Sequence, residues 1–368
     1  MRIAVYKHPQ MSRIYNFSAG PATIPEAVLA EAQEHLADYH GAGFSIMEAS
    51  HRGPQYDAVH NEASANVKEL MGLGDTHEVL FMTGGATSQF SIIPMNLLGE
   101  GKTADYTLDG SWAKKAVAAG KKVGSINVAA DVREDRPLRL PRIDELQLTD
   151  NAAYLHVTSN ETIEGIQWKE FPKHDTLVSD MSSDILSRKL DFSSFGLIYA
   201  GAQKNLGPSG VTLVIVRKDL LEAADDSIPE IMKYSVQASK NSLFNTPPTF
   251  SIYMLALTTR WMKEQGGVEA IQVVNERKAK TLYDQIDSSD YWTGSAAVEN
   301  RSDMNVTFRL PSEDLEAQFL KEAGENGMSA LKGHRSVGGI RASIYNAMPE
   351  AGVETLVSFM KAFEAANG

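Results

Sequence analysis

Apolar positions in this chain follow two rhythms. Short unbroken runs, rich in β-branched and aromatic residues, read as buried strands at Glu78–Met82, Ala104–Leu108, Ala152–Val157, Leu177–Asp180, Gly196–Ala200 and Val211–Val216. Apolar residues at helical spacing predict helices from about Pro25 to Tyr39, Gln55 to Met71, after the Gly84-Gly85 turn to Leu98, and Phe250 to Glu264. Pro25 suits a first helical position, and Gly72-Leu73-Gly74 and Gly266-Gly267 act as stops. Strands and helices alternating from about residue 26 to 260 imply a mostly parallel sheet covered on both faces. Beyond that point the character changes. Helices near Val268–Asp287, Glu313–Asn326 and Glu350–Ala366, with an alternating strand at Asn305–Leu310, read as a smaller α+β unit. The expected division is an arm over 1–25, with Met11 a second candidate start, a large α/β domain over 26–265 and a small domain over 266–368.

Composition narrows the function. The 368 residues carry a net charge of −12, which argues against nucleic acid or anionic membranes as partners and makes any local cluster of Arg and His stand out. The chain has no cysteine, so disulfides, thiolate metal sites and cysteine nucleophiles are excluded, and a reducing, cytoplasmic location is expected. No apolar run approaches the ~20 residues that span a bilayer, and the first ten residues lack the apolar core of a secretion signal. No metal site is expected.

Chemistry concentrates where strands end. Tyr199 to Gly210 places one lysine, Lys204, in a turn of small residues between two apolar strands. Small neighbours leave room for a flat ligand, and a lysine partly out of water loses its proton more readily and can attack a carbonyl. Asp180, 24 residues earlier, closes another strand. A strand-end aspartate and a loop lysine suit pyridoxal phosphate, the lysine holding the aldehyde and the aspartate keeping the ring nitrogen protonated. The same two residues also fit a capping aspartate and a solvated lysine. Thr83-Gly84-Gly85-Ala86-Thr87 follows a strand and opens a helix, which turns backbone N–H groups toward an anion; it fits a plain tight turn equally well. Trp112, at another strand end, suits either core packing or stacking on a planar ring.

The segments NFSAGPA, SHRG, GGATSQF, NETIEG, GAQKNLGPSG, FNTPPTF and KGHRSVGGIRASIYNAMP together resemble the phosphoserine aminotransferase family, within the fold-type I pyridoxal-phosphate enzymes. They occur in family order and cover the chain from Asn16 onward. The resemblance implies a seven-stranded-type, mostly parallel sheet in the large domain, and pyridoxal 5′-phosphate as cofactor. It implies reversible transfer of an amino group between O-phospho-L-serine and 2-oxoglutarate in serine biosynthesis, extending to 4-phosphooxy-L-threonine in pyridoxal phosphate synthesis. Lys204 then binds the cofactor and shuttles the substrate proton, Asp180 pairs with the ring nitrogen and Trp112 stacks on the ring. Thr162 bonds the ring-hydroxyl side, and Ala86, Thr87 and Gln203 hold the phosphate. Asn245 and Thr246 match residues that reach the phosphate from a neighbouring subunit, implying a homodimer with shared sites.

In the same resemblance Arg341 grips the substrate α-carboxylate. His51, Arg52, His334 and Arg335 surround the far phosphate or carboxylate, two anions that an Arg fork binds alike. A runner-up within the fold is another small-substrate aminotransferase or lyase, such as an alanine–glyoxylate type, which would not need the two basic pairs His51-Arg52 and His334-Arg335. Two positions depart from many bacterial members of the family: Thr87 replaces an Arg, and Ala19 a Ser. Thr87 keeps a hydroxyl but removes a guanidinium, so weaker discrimination of phosphate over carboxylate is expected.

Overall fold

Side chains along each predicted run divide between two apolar clusters, which is why the runs become the strands of a sheet covered on both faces. In β1 (His77–Met82) Val79 and Phe81 join one cluster, while Leu80 and Met82 join the other. The computed structural model describes residues 13–368. Residues 1–12 of the expected arm, Met11 among them, lie outside the described residues.

The central sheet adds β2 (Thr103–Leu108), β3 (Ser125–Asp131), β4 (Leu155–Thr158), β5 (Leu177–Asp180), β6 (Leu197–Gly201) and β7 (Thr212–Arg217). Its seven strands run in the order β1-β7-β6-β5-β4-β2-β3. Strand β7 is antiparallel to both neighbours, and the other pairings are parallel. One face is covered by helices α1 (Glu26–Glu34), α2 (Pro54–Leu70) and α6 (Thr249–Glu264), the other by α3 (Gly85–Leu97), α4 (Ser111–Val123) and the short α5 (Tyr234–Ser239).

A third apolar cluster is built from α7 (Gly267–Ile286), α8 (Glu313–Glu325) and α9 (Glu350–Asn367) on a three-stranded antiparallel sheet. That sheet has the order β8 (Thr293–Gly294), β9 (Asn305–Arg309), β10 (Ile340–Ser343). Phe17 belongs to this cluster, and Tyr15–Asn16 pairs in parallel with Met328–Ser329, so the N-terminal segment is fastened to the C-terminal part of the chain.

Two expectations need correction. The first helix ends at Glu34, not near Tyr39; only a short 3-10 turn covers Tyr39–Gly41, where His40 has a positive φ. The strict strand–helix alternation also fails. No α-helix joins β3 to β4, β4 to β5 or β5 to β6. Side chains satisfy the turns there instead: Ser159 Oγ donates to Asp180 O (2.9 Å), Ser183 Oγ to Asn160 O (2.8 Å) and Asn160 Nδ2 to Ser183 Oγ (2.8 Å).

Candidate active site

The carboxyl ends of β4, β5 and β6 converge on a cavity of about 420 Å³. Nine predicted residues line it: Ala86, Thr87, Trp112, Thr162, Asp180, Gln203, Lys204, His334 and Arg341. Lys204 is the third residue past the end of β6, and Asp180 is the last residue of β5.

The amine of Lys204 is partly buried, and its Nζ donates to Thr162 Oγ1 at 2.6 Å and lies 5.3 Å from the centre of the Trp112 ring. Burial pushes its pKa down to about 8, against the opposing pull of Asp180 and Glu161. Asp180 is buried, which raises its pKa; the Ser182 N–H (2.9 Å) and the nearby Lys204 act in the other direction. A buried carboxylate at the edge of a cavity is suited to a cationic partner such as a protonated ring nitrogen. Arg341, on β10, has its pKa lowered chiefly by burial, and its Nε finds no hydrogen-bond partner among the described residues. The Trp112 Nε1 is likewise unpartnered.

The glycine turn before α3 has the geometry of an anion cradle. Gly84 sits at φ 92° as the residue before the helix, and a Cβ there would overlap Ser88. Gly84, Gly85, Ala86 and Thr87, at the start of α3, line the cavity, where a helix N-terminus is suited to an anion. A reactive amine, a buried carboxylate, an indole face and an anion cradle in one cavity suit the donor set that pyridoxal phosphate requires.

The remaining predicted residues do not line this cavity. Arg335 is exposed beside His334, whose pKa is lowered by burial and then by Arg341 and Arg335. His51 is partly buried and Arg52 exposed, just before α2; Asn245 and Thr246 are exposed, just before α6. Helices α2 and α6 pack in parallel, with Arg260 bonding Glu62 (2.7 Å) and Lys263 bonding Glu69 (2.7 Å). Both pairs of residues therefore project from the same end of one helix pair.

Some functional neighbours escaped the sequence reading. Ser182 and Lys115 line the cavity, Lys115 with its Nζ 4.1 Å over the Trp112 ring. Behind Trp112, Asp109, Glu161 and Glu164 form a buried acidic cluster; burial lifts Asp109 to about 7 and raises Glu161, with mutual repulsion adding to both. Glu161 and Glu164 flank Thr162 within NETIEG, and two acids in an otherwise buried segment were the available signal. Among the described residues no group of His, Asp and Glu is arranged to hold a metal ion, and no helix is long and apolar enough to cross a membrane.

The family model "Aminotransferase class-V" matches residues 14–356. The chain is 54% identical over 360 residues to phosphoserine aminotransferase of Desulfosudis oleivorans, covering 97% of this chain and 99% of the relative. Among solved structures, the phosphoserine aminotransferase from Bacillus circulans subsp. alkalophilus is 53% identical and superposes with a TM-score of 0.95, covering 97% of this chain and 99% of that one. The PLP-bound phosphoserine aminotransferase from Trichomonas vaginalis is 39% identical with a TM-score of 0.92, covering 95% and 100%.

Proposed function

The chain belongs to the class-V aminotransferase family, and from that premise we propose how its residues share the work. It is a pyridoxal-phosphate-dependent enzyme that moves an amino group reversibly between O-phospho-L-serine and 2-oxoglutarate, forming 3-phosphooxypyruvate and L-glutamate, a step of serine biosynthesis. Pyridoxal 5′-phosphate, when bound, supplies an aldehyde for the lysine and a ring that accepts the electron pair released at the substrate Cα.

Lys204 would be the attachment point for the cofactor's aldehyde and, once released by the incoming substrate, the base that carries the proton from the substrate Cα to C4′ of the bound cofactor. Asp180 would hold a proton on the ring nitrogen of the bound cofactor. Trp112 would cover one face of the ring, Thr162 would hold its hydroxyl side, and Ala86, Thr87 and Gln203, which line the same cavity, would hold the phosphate. Arg341 binds the substrate α-carboxylate, common to both amino acids, while His334, Arg335, His51 and Arg52 take the far anion. The observation that carries this reading is the pairing of the partly buried Lys204 amine with Asp180 and the unpartnered Arg341 in one cavity. Asn245, Thr246, His51 and Arg52 act on the neighbouring copy's cavity in a homodimer, which the shared end of α2 and α6 supports. The same reading assigns 4-phosphooxy-L-threonine as a second substrate, a cytoplasmic location, and the division into arm, large and small domains over 1–25, 26–265 and 266–368.

Replacing Arg341 with Ala leaves the α-carboxylate without its partner. The expected loss is about 3 kcal/mol, roughly 150-fold in kcat/KM, with O-phospho-L-serine and L-glutamate affected alike. Steady-state kinetics with each donor check this, and a loss confined to one donor refutes the shared role.

A further inference from the structure

We propose that Glu161 is a positioning residue that acts through helix α4, holding its first turn and thereby the Trp112 ring against the reactive lysine. This rests on the reading of Trp112 as the residue that covers the cofactor ring.

Helix α4 opens after Gly110, which has no side chain to cap it. Its first three N–H groups are taken instead by carboxylates some fifty residues later in the chain. Ser111 N and Oγ donate to Glu164 Oε1 (2.9 and 2.7 Å), Trp112 N to Glu161 Oε2 (3.0 Å) and Ala113 N to Glu161 Oε1 (2.7 Å). A Cβ at Gly110 would overlap the Glu161 carboxyl, so the missing side chain is what admits the distant cap. The carboxylate meets the positive end of the helix dipole, which offsets part of its burial. Thr162, the residue after Glu161, accepts the hydrogen bond from Lys204 Nζ at 2.6 Å. One short segment therefore fixes two walls of the cavity, the amine through Thr162 and the indole through Glu161.

The two glutamates play unequal parts. Glu161 uses both carboxylate oxygens as acceptors, so Glu161→Gln sets an amide N–H against a backbone N–H. Glu164 uses Oε1 alone, and its Oε2 has no partner among the described residues, so Glu164→Gln keeps its acceptor and removes only a charge.

The test follows full-length wild type, Glu161→Gln, Glu164→Gln, Trp112→Phe and the Glu161→Gln/Trp112→Phe double variant. Readouts are amide hydrogen exchange at residues 111–114, affinity for added pyridoxal phosphate, and visible circular dichroism of the loaded protein. In Glu161→Gln, exchange at Trp112 and Ala113 should rise, and affinity should fall, each on the order of tenfold, with a smaller visible dichroism. Glu164→Gln should change either quantity less than about twofold, and Glu161→Gln should add less than about twofold in the Trp112→Phe background. Equal effects of the two glutamine variants, or an undiminished cost without the indole, would overturn the proposal. Unchanged affinity in Trp112→Phe, with exchange still accelerated by Glu161→Gln, would instead overturn the reading of Trp112 beneath it. Should Glu161→Gln fail to fold, Glu161→Asp keeps both oxygens but withdraws them by one methylene, and the same outcomes decide.

Discussion

The amine of Lys204 sits between opposing influences: burial favours its neutral form, and Asp180 favours the ammonium. Only the neutral amine attacks an aldehyde, so in cofactor-free protein its reactivity rises with pH through about 8 and then levels, well below the ordinary lysine range. Asp180→Asn removes a pull that raises the lysine pKa, so the midpoint moves to lower pH. Rates of reductive alkylation at Lys204, read by peptide mass spectrometry against pH, check both statements; an upward move in Asp180→Asn would contradict them. These two residues were legible from the chain because Asp180 closes a short apolar run and Lys204 sits in the small-residue turn just after another. Glu161 and Glu164 were not, because what makes them matter is contact with a helix start that lies distant in sequence; nor was Asp109, whose partner Trp168 is equally remote along the chain.

Among elements, the strands and long helices were the most readable, since each buries a face at its own period. The connections on either side of β5 were not. Their polar residues look like ordinary loops, and the Asn160–Ser183 bonds that replace helical hydrogen bonds appear only when β4 and β5 are adjacent. Helix α7 shows another limit. Val268 and Ile271 in its first half join the core under the central sheet, while Ala279 and Leu282 join the C-terminal core. Its buried Lys278 donates to the carbonyls of Ile344 (2.9 Å), Tyr345 (2.7 Å) and Met348 (3.1 Å). The turn so held also carries Asn346, whose N–H meets Asn205 Oδ1 at 3.1 Å, directly beside Lys204. Lys278→Met strands three acceptors, and a loss of about 3 kcal/mol in urea unfolding is expected. A loss below about 1 kcal/mol would show that water replaces the ammonium without difficulty.

Across the whole molecule, an excess of 12 negative charges makes the clustered cations the informative ones. His334 and Arg341 line the cavity, whereas His51-Arg52 and Asn245-Thr246 project from one end of the α2–α6 pair. If those residues serve a neighbouring copy, Arg52→Ala and Lys204→Ala fail separately but complement each other. Random pairing of the two variants should restore about a quarter of wild-type sites, and no recovery on mixing and refolding together would contradict shared sites. Substrate choice is the central claim, and one measurement addresses it most directly. Cofactor-loaded protein is mixed rapidly with O-phospho-L-serine, L-serine or L-alanine, and conversion to the pyridoxamine form is followed by absorbance in a single turnover. Phosphoserine alone should convert it quickly. If alanine or serine reacts as fast, the lysine chemistry stands, but the basic residues do not read phosphate and the alanine–glyoxylate type of substrate takes its place.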